Sequence, residues 1–228
     1  MALKISALVI GTLMLVGLGT KLSRDNSSQW ENRHSIEAIV QRTKEQGKNK
    51  VTIPGPRIEY GGMNMTLREA LQLYSVFIAE PKEGKSYSVD SNHIVTWYRF
   101  SIKETLSLRA PLVCNTCPTP AIPPPDIIPV KPGEFLISKV GGTVKIDGVE
   151  VTMVDIALPK FEEHKRYLMF VSLHPSGVAL LGGGPTGVFQ INDDDKLEAL
   201  TKNSTRLQSE MRDRFDLNLT GFKAHAKP

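Results

Sequence analysis

The 228-residue sequence lacks the short motifs that mark the common hydrolases. Neither Gly-x-Ser-x-Gly nor His-Glu-x-x-His occurs, so the sequence predicts neither a serine hydrolase nor a zinc protease. It also lacks any block of lysine and arginine, and its formal net charge is only +4. Because nucleic-acid binding depends on a basic surface or a recognition motif, we expect no nucleic-acid partner.

Long apolar runs are scarce, and the main one stands at the start. Lys4 precedes the run Ile5–Gly19, a pattern typical of an export signal or a membrane anchor. The run is shorter than the ~20 residues that span a bilayer comfortably, which favours a cleaved signal, but no Ala-x-Ala cleavage site follows it. Residues 1–20 are therefore either a signal peptide or a membrane anchor, and a buried helix is the third alternative. We expect the rest of the chain to be exported, and either held at the cell membrane facing the periplasm or exterior, or secreted.

The composition changes twice beyond this segment. Residues 21–62 are polar and charged, with proline and glycine near their end, which predicts a stalk or linker. Residues 63–228 have the length of one domain. The whole chain is 40% hydrophobic and 23% charged, so the domain can bury a core.

The first clear element is a helix. Thr66 and Glu69 have the spacing of a capping box, and apolar residues then recur at helical intervals. This predicts a helix over Thr66–Ala79 that Pro81 ends. From Ile94 the apolar period changes to two, which predicts a long strand.

The remaining patterns predict a mainly β (α+β) fold. The proline-rich stretch Pro111–Pro132 is expected to be a loop, and the C-terminal helix is expected to begin at one of three aspartates, Asp193–Asp195, with a stripe of leucine, methionine and phenylalanine. We expect a small barrel or rolled antiparallel sheet, with one helix before it, one C-terminal helix and an N-terminal apolar helix. The expected strands and hairpins are Phe135–Val140, the hairpin Thr143–Val154 about Asp147-Gly148, the central strand Tyr167–Leu173, and a hairpin of Gly177–Leu181 with Gly187–Ile191.

Several of these pieces resemble a family of exported bacterial domains that is mostly uncharacterised. The resemblance implies an oligonucleotide/oligosaccharide-binding-like barrel or the related netrin-like barrel, and it implies no catalytic residues. The sequence departs from the family pattern at His164-Lys-Arg, where a glycine is common, and in its long proline-rich insertion. The matching pieces are Thr66–Ala79, Ile94–Leu106, Gly141-Gly142, Pro159-Lys-Phe161, Tyr167-Leu-Met-Phe170 and Gly187-Val-Phe189.

The two cysteines form the sharpest chemical pattern. Cys114 and Cys117 have the spacing of a redox pair, whose thiolate can exchange disulfides. Prolines follow them and no βαβ pattern surrounds them, which favours a structural disulfide in the proline-rich loop. Zinc binding with His164 and His174 is a further alternative, but we expect neither a metal nor a cofactor.

Two other patterns are better explained by local structure. Gly182–Gly187 lacks the lysine of a phosphate-binding loop, so we interpret it as a hairpin turn. Asp193–Asp195 lacks the alternating ligands of a calcium loop, and helix capping accounts for it.

Aromatic residues of the long strand are the only further candidate site. Trp97, Tyr98 and Phe100 would stack on a ligand if their face of the sheet were open, whereas alternation places at least half of these rings in the core. No catalytic residue is predicted. We therefore expect an exported binding module for a protein, peptide or glycan. The alternatives are thiol–disulfide exchange at Cys114 and Cys117, or protease inhibition of the netrin-like kind.

Overall fold

The computed structural model describes residues 35–56, 64–110, 123–127, 130–201 and 205–226. The predicted signal or anchor and both cysteines lie outside these ranges. Among the helices that are described, none is long and apolar enough to cross a membrane.

The described chain is mainly β, with short helices beside two sheets. It confirms the strands predicted at 94–102, 135–140 and 167–173, and the hairpin at 143–154. In chain order the elements are α1 (Ile36–Glu45), β1 (Lys50–Pro54), α2 (Leu67–Leu73), β2 (Ser75–Ser88), β3 (Ile94–Ser107), β4 (Glu134–Val140), β5 (Gly142–Ile146), β6 (Val149–Val154), β7 (Arg166–Leu173), β8 (Ala179–Leu181), β9 (Val188–Ile191), β10 (Leu197–Ala199), α3 (Arg206–Phe215) and α4 (Leu219–Ala226).

The larger sheet is antiparallel and carries the main core on both faces. Its strand order is β10-β9-β7-β2-β3-β4, and β8 also pairs with β7. On one face, α2, α3 and α4 cover an apolar cluster that includes Phe170 and Phe222. On the other face lies an aromatic cluster that includes Phe100 and Phe161. Because both faces are covered here, β7 and the first part of β2, Val76–Ala79, are nearly continuous apolar runs.

The smaller sheet has the order β1-β6-β5. Strand β1 runs parallel to β6, and β5 and β6 form the predicted hairpin. Asp147 and Gly148 both have positive φ, at +48° and +86°, as a type I′ turn requires. Helix α1 packs Ile36 and Val40 against one face of this sheet.

Of the two predicted alternatives, a small barrel or a rolled antiparallel sheet, the described residues form no closed barrel. They form two sheets. One isolated parallel bridge pairs Leu136 of β4 with Val178, the residue before β8. This bridge brings β4, at one edge of the larger sheet, close to β8 beside β7. It does not continue into a ladder of paired residues, so no barrel closes.

The predicted helix over Thr66–Ala79 is only half correct. The capping box is present, since the Thr66 hydroxyl accepts from the Glu69 N–H and the Glu69 carboxylate accepts from the Thr66 N–H. The helix ends at Leu73, and Ser75 begins β2. The apolar run after Ser75 lies between β3 and β7, so pairing on two edges outweighs its helical spacing. Pro81 does not end a helix but lies in β2, beyond the stretch that pairs with β7 and at a register shift against β3.

The C-terminal helix begins later than predicted. Asp193–Asp195 form the turn between β9 and β10, where the Asn192 N–H donates to the Lys196 carbonyl at 2.9 Å. Leu197 therefore belongs to a strand, and Thr205 caps the helix instead. The later part of the predicted stripe is confirmed, because Leu207 and Met211 are buried.

The second predicted hairpin does not form. Strands β8 and β9 are both present, but each pairs with β7 rather than with the other. A buried 3-10 turn, Gly184–Gly187, joins them. The glycine-rich stretch is therefore neither a hairpin turn nor an open phosphate loop. It is a buried connection between β8 and β9, which pair with successive parts of β7.

Candidate functional site

The chain on either side of residues 111–122 is attached to the larger sheet by side-chain contacts. On the preceding side, the Arg109 N–H donates to the Ser75 hydroxyl at 2.9 Å, and that hydroxyl lies 3.3 Å from the Arg109 carbonyl. The Arg109 Nε donates to the Leu71 carbonyl at 2.8 Å. We call these contacts the first anchor.

On the following side, charged groups hold a 3-10 turn at Pro125–Ile127. The Asp126 carboxylate pairs with Lys85 and accepts from the Tyr87 hydroxyl at 2.9 Å. The Arg99 guanidinium donates to the Ile127 carbonyl. These contacts form the second anchor, which attaches the later part of the proline-rich stretch to side chains of β2 and β3.

Two glutamates orient Arg99 of the second anchor. Its Nε donates to Glu83 at 2.7 Å and its Nη1 donates to Glu134 at 3.2 Å. Glu134 is buried and also accepts from Lys82 Nζ at 2.8 Å. Because three cationic side chains and three carboxylates share the anchor, its geometry is set by charge-assisted hydrogen bonds.

The anchor carboxyls titrate below their usual range. The hydrogen bond from Lys85 lowers the pKa of Asp126, and the one from Tyr87 adds to this. Burial raises the pKa of Glu134, but the hydrogen bonds from Lys82, the Lys131 N–H and Arg99 together lower it by more. Both carboxyls therefore stay ionised in the folded protein at pH values where the unfolded chain begins to take up protons.

We expect the free energy of unfolding to fall as the pH drops below about 4.5, the ordinary pKa range of free carboxyls. A carboxyl whose pKa is lowered by folding contributes stability that is complete above its unfolded pKa and is lost as the pH falls through its folded pKa. Glu134→Gln should remove part of this dependence, whereas Glu163→Gln, on an exposed turn, should leave it unchanged. Urea unfolding between pH 7 and pH 3 measures the difference, and identical slopes for the wild type and Glu134→Gln would contradict the assignment.

An open cleft of about 500 Å³ lies beside the first anchor. Leu108, Leu173 and His174 line it, and Leu108 is 66% exposed. Gly177 also lines the cleft, and a Cβ atom there would lie 3.0 Å from the Val130 side chain, just after the second anchor. The cleft therefore lies between the two anchors.

A second polar cluster lies where the two sheets meet. The Thr96 hydroxyl donates to the Gly141 carbonyl at 2.6 Å and lies 2.8 Å from the Ser86 hydroxyl. Gly142 has φ of +139°, and a Cβ atom there would lie only 2.1 Å from the Thr96 hydroxyl oxygen. The chain can therefore pass from β4 to β5 at this point only with glycine.

Lys139 and Asp155 form a buried ion pair beside this cluster. Lys139 pairs with Thr96 in the sheet register, and its Nζ lies 3.9 Å from Asp155 Oδ2, with side-chain exposures of 6% and 4%. Asp155 Oδ1 accepts from the N–H groups of Ala157 at 2.8 Å and Leu158 at 3.3 Å. Oδ2 is buried and has no hydrogen-bond partner among the described residues. Burial lowers the pKa of Lys139, against the opposing effect of the Asp155 charge.

The predicted aromatic site residues lie inside the fold. Trp97, Tyr98 and Phe100 are 2%, 4% and 0% exposed. Trp97 faces a cluster with Ile127, while Tyr98 and Phe100 face the opposite side of β3. Burial raises the pKa of Tyr98 to about 12. The structure does not bring these three rings together on an open face, so ligand stacking stays a prediction that requires the core to open.

The other sequence candidates are dispersed. Cys114 and Cys117 lie outside the described residues, so disulfide, redox and zinc roles stay predictions. His164 lies in an exposed turn, and His174 lies in the cleft with its Nδ1 2.8 Å from the Ser176 hydroxyl. Within the described ranges, no three histidine, cysteine, aspartate or glutamate side chains come together as a metal site would need.

Sequence reasoning missed the Lys139–Asp155 pair. The signal was present in the alternation of β4, where Phe135 and Ile137 point to the core and Lys139 occupies the next inward position. Comparisons of the chain with protein-family models, with curated proteins and with solved structures found no match. The function of this protein is therefore inferred from its own geometry.

Proposed function

We propose that this protein is an exported, non-catalytic interaction module that binds a partner protein at the cleft between its two anchors. The observation that carries the proposal is the attachment of the proline-rich segment on both sides of an open, partly apolar cleft. Proline-rich sequence favours an extended backbone that loses little conformational entropy on binding. Fixed ends reduce that cost further, since preorganisation lowers the free energy spent on ordering.

The composition of the cleft supports a protein partner. Leu108 and Leu173 supply apolar surface to its lining, and Arg109 and His174 supply polar groups. Protein interfaces combine apolar contact surface with polar groups of this kind. Export, either with retention at the membrane or as a secreted protein, rests on the N-terminal apolar run alone.

We also propose that the domain is similar to oligonucleotide/oligosaccharide-binding-like or netrin-like domains. The isolated bridge between Leu136 and Val178 supports a rolled sheet of that general kind. Thiol–disulfide exchange and protease inhibition stay alternative predictions.

Site-specific photo-crosslinking in cells that export the full chain tests the proposal. A photoreactive residue at position 108 should give one discrete adduct with a partner protein. The same residue at position 89 is the matched control, because Val89 is also an exposed apolar residue, 54% exposed, but lies in the β2–β3 turn. Equal adducts at both positions, or none at position 108, would refute the cleft as the binding site.

A second substitution in the cleft separates specific binding from incidental contact. Pro175→Glu places a charge on an exposed residue that lines the cleft. It should reduce the position-108 adduct by roughly fivefold or more, the effect of losing about 1 kcal/mol of binding. Lys145→Glu, on the exposed face of the smaller sheet, should leave the adduct unchanged.

A further inference from the structure

We infer that Lys139 and Asp155 form an intramolecular amide bond between Nζ and Cγ, with the release of one water molecule. The two side chains are already paired, with Nζ 3.9 Å from Oδ2, and both are almost fully buried. The bond forms between Nζ and Cγ, and reacting atoms in near-attack geometry are about 3–3.5 Å apart, so the Lys139 side chain has to move closer to Asp155 Cγ before it attacks. The inference is independent of the partner proposed above.

The two oxygens of Asp155 have the different surroundings that this reaction needs. Oδ1 accepts from the Ala157 and Leu158 N–H groups, and these donors stabilise the negative charge that develops on one oxygen when an amine attacks a carboxyl carbon. Oδ2 lies toward Lys139 without a hydrogen-bond partner among the described residues. Two backbone N–H groups therefore hold Oδ1, the oxygen that stays, whereas no hydrogen bond from a described residue holds Oδ2, the oxygen that leaves.

The step balances without an external reagent. One proton passes from the Lys139 ammonium to Asp155 Oδ2, which gives a neutral amine and a neutral carboxylic acid. The amine lone pair then forms the Nζ–Cγ bond, and the Cγ–Oδ2 bond breaks. Oδ2 leaves as water after taking a second proton from the attacking nitrogen, so the product is a secondary amide and neither oxidation nor reduction occurs.

The surroundings favour the neutral pair that reacts. Lys139 follows Ile137 on the inward face of β4, and Leu158 lies three residues after Asp155 in the same apolar cluster. An apolar site disfavours separated charges, so it brings the ammonium–carboxylate pair and its neutral form closer in free energy. The lowered pKa of Lys139 has the same physical cause.

The bond would join the two sheets covalently. Lys139 is the second-to-last residue of β4 in the larger sheet, and Asp155 directly follows β6 in the smaller sheet. The junction also has hydrogen bonds around Thr96 and Gly141 and an apolar cluster in which Ile94 of the larger sheet packs with Val151 of the smaller sheet. A cross-link at this point would keep the smaller sheet attached when the rest of the chain unfolds.

Intact-mass measurement of the full chain, purified, fully reduced and alkylated, tests the inference. We expect the wild type to be lighter than its sequence mass by one water molecule, and Lys139→Ala and Asp155→Ala to have their full sequence masses. Proteolysis of the wild type should release a branched peptide in which Lys139 and Asp155 are joined. Lys103→Ala is the matched control, because Lys103 pairs with Glu80 at 2.8 Å but is partly exposed, and this variant should keep the mass deficit.

One competing source of the same mass loss lies in this chain. Asp147-Gly148 can lose water to form a succinimide, which mild alkali hydrolyses, whereas a secondary amide survives that treatment. A deficit that persists in Lys139→Ala, or that alkali abolishes, would overturn the inference. A wild-type protein that keeps its full mass after long incubation in the folded state would overturn it as well, whatever the variants do.

Discussion

Lys139→Met is expected to have a free energy of unfolding about 3–5 kcal/mol below that of the protein in which Lys139 and Asp155 are an unlinked ion pair, the usual effect of removing one partner from such a buried pair. Methionine preserves most of the length of the side chain, so the main change is that the Asp155 carboxylate stays buried without its cation. Oδ1 keeps its two backbone donors, but no described group replaces Lys139 near Oδ2. Chemical denaturation followed by circular dichroism measures the loss.

The decisive comparison is between Lys139→Met and the double variant Lys139→Met/Asp155→Asn. Neither can form the Lys139–Asp155 amide, so the comparison does not depend on that bond. Asparagine keeps an acceptor for the Ala157 and Leu158 N–H groups while removing the charge, so the double variant should recover much of the lost stability. Lys103→Met, which breaks an exposed pair, should cost less than about 1 kcal/mol. The charge argument fails if the double variant is no more stable than Lys139→Met.

Local signals predicted most of the strands because tertiary contacts agree with them. The alternation from Ile94 onward becomes β3, and the Asp147-Gly148 turn closes the hairpin of β5 and β6. The segment after Ser75 shows where such signals fail. Its apolar residues fit helical spacing and a capping box precedes them, yet pairing with β3 and β7 places them in a central strand. Partners that lie far along the chain, and not the local pattern, decided that element.

The candidate sites were less predictable than the fold, for a related reason. Each anchor joins residues that are distant in sequence, such as Lys85 with Asp126 and Ser75 with Arg109. Lys139 was marked by its inward position in an alternating strand, but its partner Asp155 follows a different strand in the other sheet. A sequence pattern identifies one member of such a pair and cannot supply the distance to the other.

Phe100→Ala is expected to lower the free energy of unfolding by about 3–5 kcal/mol, as for other large buried aromatic residues. Phe100 has no exposed surface and lies in the aromatic cluster on one face of the larger sheet. Its ring stacks on Phe135 at a centroid distance of 5.4 Å and meets the edge of Phe161 at 5.0 Å. Alanine would lose these contacts and leave a cavity. The Phe135 ring lies on a paired strand, so it cannot move far enough to fill it.

The same measurement separates the two interpretations of the aromatic residues on β3. A ring that serves a ligand on an open face contributes little to folding, so its truncation would cost less than about 0.5 kcal/mol, like an exposed surface substitution. Leu108→Ala supplies that reference within this protein, since Leu108 is exposed at the cleft. A loss for Phe100→Ala of the expected size, with little loss for Leu108→Ala, assigns Phe100 to the core and leaves the cleft as the surface at which to look for a partner. A small loss for both variants would return Phe100 to the candidate binding residues, because the core would then have to open readily at this ring.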